Sequence, residues 1–192
     1  MMLCQTLTMG SGREFRYALI DQLPNKNNKG KFMTRKENDK AIATLLKHWH
    51  VFPNSEILDC CSGDGHLVEQ LESQVSWKAH GGDISSRTFW FDAASYEHWD
   101  GYGQTDYVIT NPPSNKVMQI LPLAKDFSNF GVAMLLGLNF LEPCKSRVNW
   151  LIKNPISKII LIAGDSKTAW FVWDKMTANQ EIIVEPFEKE NE

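Results

Sequence analysis

The stretch "EILDCCSGDGHLVEQLE", Glu56 to Glu72, decides how the rest of the chain is read. It opens with a short apolar strand that ends at Asp59 and continues into Cys60 and Cys61. Gly63 and Gly65 follow, and glycine lets a backbone turn through positive φ close to a ligand. Leu67, Val68 and Leu71 then recur at helical spacing, so the turn opens a helix whose positive end faces that ligand. Strand, glycine turn and helix in direct succession predict a parallel α/β unit.

The flanking segments extend the same alternation. Upstream, "TRKENDKAIATLLKHWHV" carries an apolar stripe of Ile42, Leu45, Leu46 and Trp49 and predicts a helix. Thr34 and Glu37 have the spacing of a capping box, and His48 and His50 flank the stripe as solvated or capping groups. Downstream, "KAHGGDI" reads as a second strand ending in an acid, "FWFDAA" as a candidate third, and "SYEHWDGYGQ" as loop or short helix. "DYVITN" is a fourth strand, "NKVMQILPLAKDF" a helix interrupted by Pro122, and "FGVAMLLGLNF" a fifth, buried strand. A helix over "EPCKSRVNWLIKN" precedes three closely spaced strands, "SKIILIAG", "TAWFVWDK" and "EIIVEPF". This pattern predicts a single-domain, doubly wound, mostly parallel α/β sheet with an antiparallel C-terminal hairpin. Residues 1–30 have weak periodicity and many turn formers, and read as a flexible N-terminal arm ahead of a domain over 31–192.

Composition narrows the function classes. At 192 residues the chain is long enough for one domain with a sizeable core. No apolar run approaches the ~20 residues of a membrane span. The amino-terminal "MMLCQTLTMGSGREF" lacks the pattern of a secretory signal, so a soluble cytoplasmic protein is expected. Cys4, Cys60, Cys61 and Cys144 form no C-x-x-C pair, which argues against a zinc site; Cys60 and Cys61 read as small core residues. A net charge of −3 argues against a protein that coats nucleic acid by bulk electrostatics. Positive charge is local: "KNNKGKFMTRKENDK" holds Lys26, Lys29, Lys31, Arg35, Lys36 and Lys40. It reads as a solvated loop and helix start, with a phosphate-binding stripe as the rival.

Two further features fall at strand ends. Asp83, in "GGDIS", lies 24 residues after Asp59; an acid at the end of the second strand of such a unit accepts ribose hydroxyls, at a separation of roughly 20 residues. The dinucleotide pattern G-x-G-x-x-G fails, because Val68 stands where the third glycine would be, and no P-loop pattern occurs. In "DYVITNPPSN", Asp106 to Asn115, Pro112 cannot continue a central strand, and Asn111 is pushed toward an extended conformation. The strand therefore ends in a rigid corner that displays an amide at its carboxyl end, where open α/β sheets bind ligands.

"ILDCCSGDG", "GGDIS", "FWFDAASYEHW" and "DYVITNPPS" resemble, in order and spacing, the class I S-adenosylmethionine-dependent methyltransferases. Within that class the sequence is similar to the Asn-Pro-Pro amino-methyltransferases, of which DNA adenine-N6 methyltransferases are the best-known members. "KFMTRKENDKAIATLL" looks like the F-x-T-P segment of these enzymes, and "TAWFVWDK" resembles a late strand of small phage-type members. The resemblance covers residues 31–187 and implies a Rossmann-like sheet of about seven strands. It further implies S-adenosylmethionine as cofactor and no metal. Thr34 and the turn from Asp59 through Cys60 and Gly63 to Gly65 would hold the methionine part. Asp83 would hold the ribose hydroxyls, Ile84 would pack on adenine, and Asp92 would accept the adenine amino hydrogens. Asn111 and Pro112, in a corner completed by Pro113 and Ser114, would hold the target nitrogen.

The resemblance also supplies a use for the corner. An exocyclic amine is a poor nucleophile because its lone pair is delocalised into the ring. Two acceptors, the Asn111 side-chain carbonyl and the Pro112 backbone carbonyl, would draw it toward sp³ geometry, so positioning and electrostatics lower the barrier. The sequence departs from the family at Arg35, where proline is usual, and at Ser114, where an aromatic is usual. Serine cannot stack a flipped base, a contact worth roughly 1–3 kcal/mol; Phe140, Trp170 and Phe171 are the alternative platforms, although each reads first as a core residue. The expected substrate is adenine N6 in DNA, with an RNA base or a protein glutamine amide as rivals, and a weakly active cofactor-binding subunit of a larger complex as a different class. Specificity would come from short loops, the basic arm or a protein partner.

Overall fold

In the computed structural model the structure describes residues 4–8, 14–18, 35–73, 77–84, 91–162 and 167–185. Strands β1 (Cys4–Thr8) and β2 (Glu14–Ala18) form an antiparallel ladder with Cys4 opposite Ala18. The weak periodicity of this stretch gave no sign of it. Helix α1 (Arg35–His48) buries Ala41, Ile42 and Leu45, followed by Trp49, on the stripe that the sequence predicts. Next come β3 (Glu56–Asp59), α2 (His66–Ser73), β4 (Lys78–Gly81), α3 (Tyr96–Tyr102) and β5 (Thr105–Thr110). The chain continues through α4 (Val117–Phe127), β6 (Ser128–Gly137), a 3₁₀ turn at Leu138–Leu141, α5 (Lys145–Lys153), β7 (Lys158–Leu161), β8 (Thr168–Asp174) and β9 (Glu181–Val184).

The seven strands from β3 onward make one sheet in the order β4-β3-β5-β6-β8-β7-β9. β4, β3, β5 and β6 are parallel, whereas β8 runs antiparallel to both β6 and β7. β7 and β8 are the expected hairpin. β9 departs from a simple run of hairpins: it returns to pair in parallel with β7 at the sheet edge, Lys158 opposite Glu181. Alternation along β5 shows why the sheet is covered on both faces. Val108 packs into a cluster with Trp99 of α3 and Leu121 of α4, and Tyr107 and Ile109 pack into another with Leu45 of α1 and Leu71 of α2.

Two expectations are corrected. Pro122 does not interrupt α4, which runs through it unbroken. Proline in a helix interior costs about 3 kcal/mol. Ile120, Leu121 and Ala124 are buried on either side of it, and this packing holds the helix. "FWFDAA" gives no strand among the described residues: Phe91 and Asp92 are irregular and lead into a turn at Ala93–Ala94, with Phe91 buried and its N–H donating to the Asp83 carbonyl (3.2 Å). Residues 89 and 90 lie outside the described part.

Candidate active site

Strand order reverses between β3 and β5, because β4 lies on one side of β3 and β5 on the other. Open α/β sheets bind ligands at such a switch point, outside the carboxyl ends of the strands. Register brings the relevant ends level: Asp59 pairs with Gly81, and Leu58 pairs with Val108, two residues before Thr110. The glycine turn, the acid after β4 and the corner after β5 therefore meet at one edge of the sheet.

The turn is built as the sequence predicts. Gly63 (φ 54°) and Gly65 (φ 84°) both occupy the left-handed region, and the Gly65 N–H closes the turn on the Ser62 carbonyl (2.7 Å). Among the described residues, a Cβ added at either glycine would meet nothing within 4 Å, which leaves space in front of the turn. Behind it the packing is tight: a Cβ on Gly81 would come within 2.9 Å of Ser62 and Val68 side chains, so the turn rests directly on the end of β4. Asp83 reaches back across this contact, accepting the Gly63 N–H at 3.0 Å. The Phe91 bond to the Asp83 carbonyl then carries the chain to half-buried Asp92, whose carboxylate accepts the Ala94 N–H (3.0 Å). Ile84 is 54% exposed beside Asp83, an apolar surface open to a ligand.

Asp59 has a different environment. Only 2% exposed, its Oδ1 accepts the Thr110 hydroxyl at 2.7 Å and the Cys61 N–H at 3.1 Å. It staples β3 to β5 immediately before the corner. Burial drives its carboxyl pKa up to about 7, against the opposing pull of the Thr110 and Cys61 bonds. Burial likewise raises the thiol pKa of Cys60, which is a core residue as expected; Cys61 is half-buried.

At the corner, Thr110 is buried, Asn111 exposed, Pro112 buried and Pro113 exposed. Pro112 anchors the turn in the protein while Asn111 faces out beside it. Ser114 is exposed, and the Pro113 carbonyl accepts the Lys116 N–H (2.9 Å), leading the chain into α4. The three aromatic platforms considered above are all core residues. Trp170 and Phe171 have no exposed surface and Phe140 is 7% exposed, with Phe140 and Phe171 in edge contact (centroids 5.3 Å). Thr34 lies outside the described residues.

Sequence reasoning missed three partners that shape this edge. Thr110, in the strand "DYVITN", carries the hydroxyl that donates to buried Asp59. The Asp92 N–H donates to His98 Nδ1 at 2.7 Å, in the first turn of α3. His66, at the start of α2, is buried, and its Nε2 lies 2.7 Å from Asp39 Oδ1, tying α1 to the glycine turn. A histidine directly after a glycine turn was the available signal for the last. Lys36 and Lys40 of the basic stretch are exposed. Two cavities, of about 160 and 730 Å³, lie elsewhere, and neither is lined by the turn or the corner. Among the described residues no cluster of side chains could hold a metal ion, and no helix is long and apolar enough to cross a membrane.

Neither a family model nor a curated protein matches the sequence. Solved structures do match in fold. One, from Listeria monocytogenes, is assigned to the class I S-adenosylmethionine-dependent methyltransferases (TM-score 0.50, 13% identity, 78% of this chain and 62% of that one). Another is the methyltransferase subunit of a type I restriction-modification system from Streptococcus thermophilus (TM-score 0.58, 12% identity, 80% and 46%). A third is a precorrin-6y C5,15-methyltransferase from Geobacter metallireducens (TM-score 0.52, 8% identity, 75% and 88%). The chain spans less than two thirds of the length of the first two. Sheet order, glycine turn and structural likeness agree: the chain has the fold of the class I S-adenosylmethionine-dependent methyltransferases.

Proposed function

We propose that this protein transfers a methyl group from S-adenosylmethionine to an amino nitrogen, with adenine N6 in DNA as the favoured acceptor. The observation that carries the reading is the meeting of the glycine turn, Asp83, Asp92 and the Asn-Pro-Pro corner at one sheet edge. The residues fit the cofactor. Open space in front of Gly63 and Gly65 admits it, exposed Ile84 offers an apolar surface for an adenine ring, and acids line the edge. When bound, the cofactor supplies a methyl activated on a positively charged sulfonium. Asp83 orients the ribose through its hydroxyls, and Asp92 selects an adenine amino group by accepting its hydrogens. Asn111 and the Pro112 carbonyl hold the acceptor's two N–H groups and turn its lone pair toward the methyl. The rigid corner keeps these acceptors in place before the acceptor arrives, which is where such sites gain most of their rate.

DNA is favoured by the likeness of the corner to adenine-N6 enzymes, and the restriction-modification subunit among the structural matches supports it. Target selection would fall to the basic stretch around Lys36 and Lys40, to short loops or to a protein partner.

Asp83 gives a first test. Replacing it by Ala should weaken S-adenosylmethionine binding about ten- to hundredfold, the loss of a charge-assisted hydrogen bond. Asp83→Asn separates two roles, because its carbonyl can still accept the Gly63 N–H but cannot accept both ribose hydroxyls. Calorimetry should therefore show Asp83→Asn binding nearly as weakly as Asp83→Ala. Wild-type affinity in Asp83→Asn would mean that Asp83 only braces the turn.

Ser114 gives a second. If a flipped base is the acceptor and stacking is missing, Ser114→Phe should hold or raise turnover on DNA, because an aromatic there adds roughly 1–3 kcal/mol of contact. A fall in turnover on DNA, measured beside RNA and protein acceptors, would point to an acceptor shaped for serine.

A further inference from the structure

We propose that the outer edge of β9 pairs with the same edge of a second copy, as an antiparallel two-fold ladder centred on Ile183, joining two sheets into one. β9 is the last strand of the sheet, and among the described residues only β7 pairs with it. The Glu181 N–H donates to the Ser157 carbonyl (2.9 Å) and the Glu185 N–H to the Leu161 carbonyl (3.2 Å). Odd-numbered residues of "EIIVE" thus turn their backbone groups toward β7, and Ile182 and Val184 turn theirs outward. A two-fold axis through Ile183 sets Ile182 opposite Val184 of the second copy. Both have outward-facing N–H and C=O groups, so each such pair can exchange both bonds of an antiparallel ladder. No other residue need shift, and the same pairing recurs on the far side of the axis, as an isologous interface requires.

The side chains agree with that register. Directly opposed residues of an antiparallel pair point to the same face. Ile182 (71% exposed) and Val184 (67%) would build one apolar patch with their counterparts. The patch continues into a groove of about 730 Å³ lined by Val148, Leu151, Ile152, Ile156, Ile159 and Ile182. α5 adds to it: none of its residues is buried, and Ile152 is 75% exposed. A stable interface needs about 1,200–2,000 Å² of total buried surface, more than a short ladder provides, so the α5 face must join β9 in the contact.

The charges permit it as well. Exposed strand edges are usually guarded by unpaired charges or proline. Here the pairing brings Glu181 beside Glu185 of the second copy, and each carboxylate already has its own cation. Lys158 Nζ lies 2.8 Å from Glu181, and Lys47 Nζ lies 2.6 Å from Glu185, with His48 at 2.9 Å. The edge is therefore apolar on one face and neutralised on the other. It is at the opposite end of the sheet from β4, so pairing would leave the glycine turn and the corner open.

Sedimentation velocity of the full chain from low to high micromolar concentration tests this, with CD spectra confirming that each variant folds. The wild type should move toward a mass near twice 21.9 kDa as concentration rises. Ile182→Lys should weaken association by about 10²-fold or more, because it buries a charge with no partner, while leaving the spectrum unchanged. Register is tested separately, with Cys4 and Cys144 replaced by Ser. Residues on the axis sit in a non-hydrogen-bonded pair with Cα atoms about 4.5 Å apart, within disulfide reach. Ile183→Cys should therefore cross-link to itself under mild oxidation, and Ile182→Cys should not. A wild type that stays monomeric, a dimer that survives Ile182→Lys, or a dimer in which Ile183→Cys fails to cross-link would each overturn the proposal.

Discussion

Asn111→Ala should abolish methyl transfer while leaving cofactor affinity within a few-fold of wild type. In the proposed reaction the Asn111 carbonyl would accept from the acceptor amine, and that hydrogen bond would strengthen as the nitrogen gains positive charge, so its effect would fall chiefly in the transition state. Removing one such preorganised group typically costs about 10²–10³ in rate, and the loss should fall on kcat more than on KM. The fold is not at risk. Asn111 is exposed, whereas buried Pro112, which fixes the end of β5, is untouched. Single-turnover rates together with calorimetry for the cofactor check both halves. Near-normal transfer would show that the corner is only a turn.

Asp59→Asn should stabilise the protein above neutral pH and destabilise it by about 1–3 kcal/mol at pH 4, where only the cost of the amide remains. The sign follows from burial. The folded state holds a proton on Asp59 up to about 7, whereas a free carboxyl releases it near 3.8. Between those values the native chain binds more protons than the unfolded one, so stability falls as pH rises through the window and levels off above it. The gap corresponds to roughly 4 kcal/mol at most. Asparagine keeps an acceptor for the Thr110 hydroxyl and the Cys61 N–H, but its amide N–H groups need partners, which returns about 1–3 kcal/mol. The expected net gain is about 1–3 kcal/mol at pH 8, or a rise of roughly 2–4 °C in Tm per kcal/mol. Denaturant unfolding of both chains from pH 4 to 8 should show the difference change sign across that window, from a loss at pH 4 to a gain at pH 8; a flat difference would contradict it. If the ionised carboxylate also draws the cofactor's ammonium group, the variant should bind cofactor more weakly at pH 8 than wild type and nearly equally at pH 6. That would be a case of stability given up for function.

Residues with a local conformational cause were legible in the sequence. Gly63 and Gly65 take positive φ, β5 stops one residue before Asn111, and the stripe of α1 is buried where its spacing places it. What was not legible depends on contacts between distant segments. The Thr110–Asp59 bond is fixed by the register of β3 on β5, which no local pattern reveals. α4 runs through Pro122 because its flanking residues are buried, so tertiary packing overrode a strong local signal. Phe91 reads as strand-like from its aromatic neighbours but lies in irregular backbone pinned to Asp83 ahead of a turn. β9 was recognisable as a strand, yet its parallel return to β7 depends on the path of the chain around β8.

The central claim is methyl transfer to an amino nitrogen, and the most direct measurement is transfer from S-adenosylmethionine carrying a labelled methyl group. Duplex DNA, single-stranded DNA, RNA and soluble protein would be offered in parallel, with Asn111→Ala as the control. The account predicts label in DNA, recovered after digestion as N6-methyladenine and absent with Asn111→Ala. Label on an oxygen or a ring carbon, or no label in any acceptor while the cofactor binds, would contradict it.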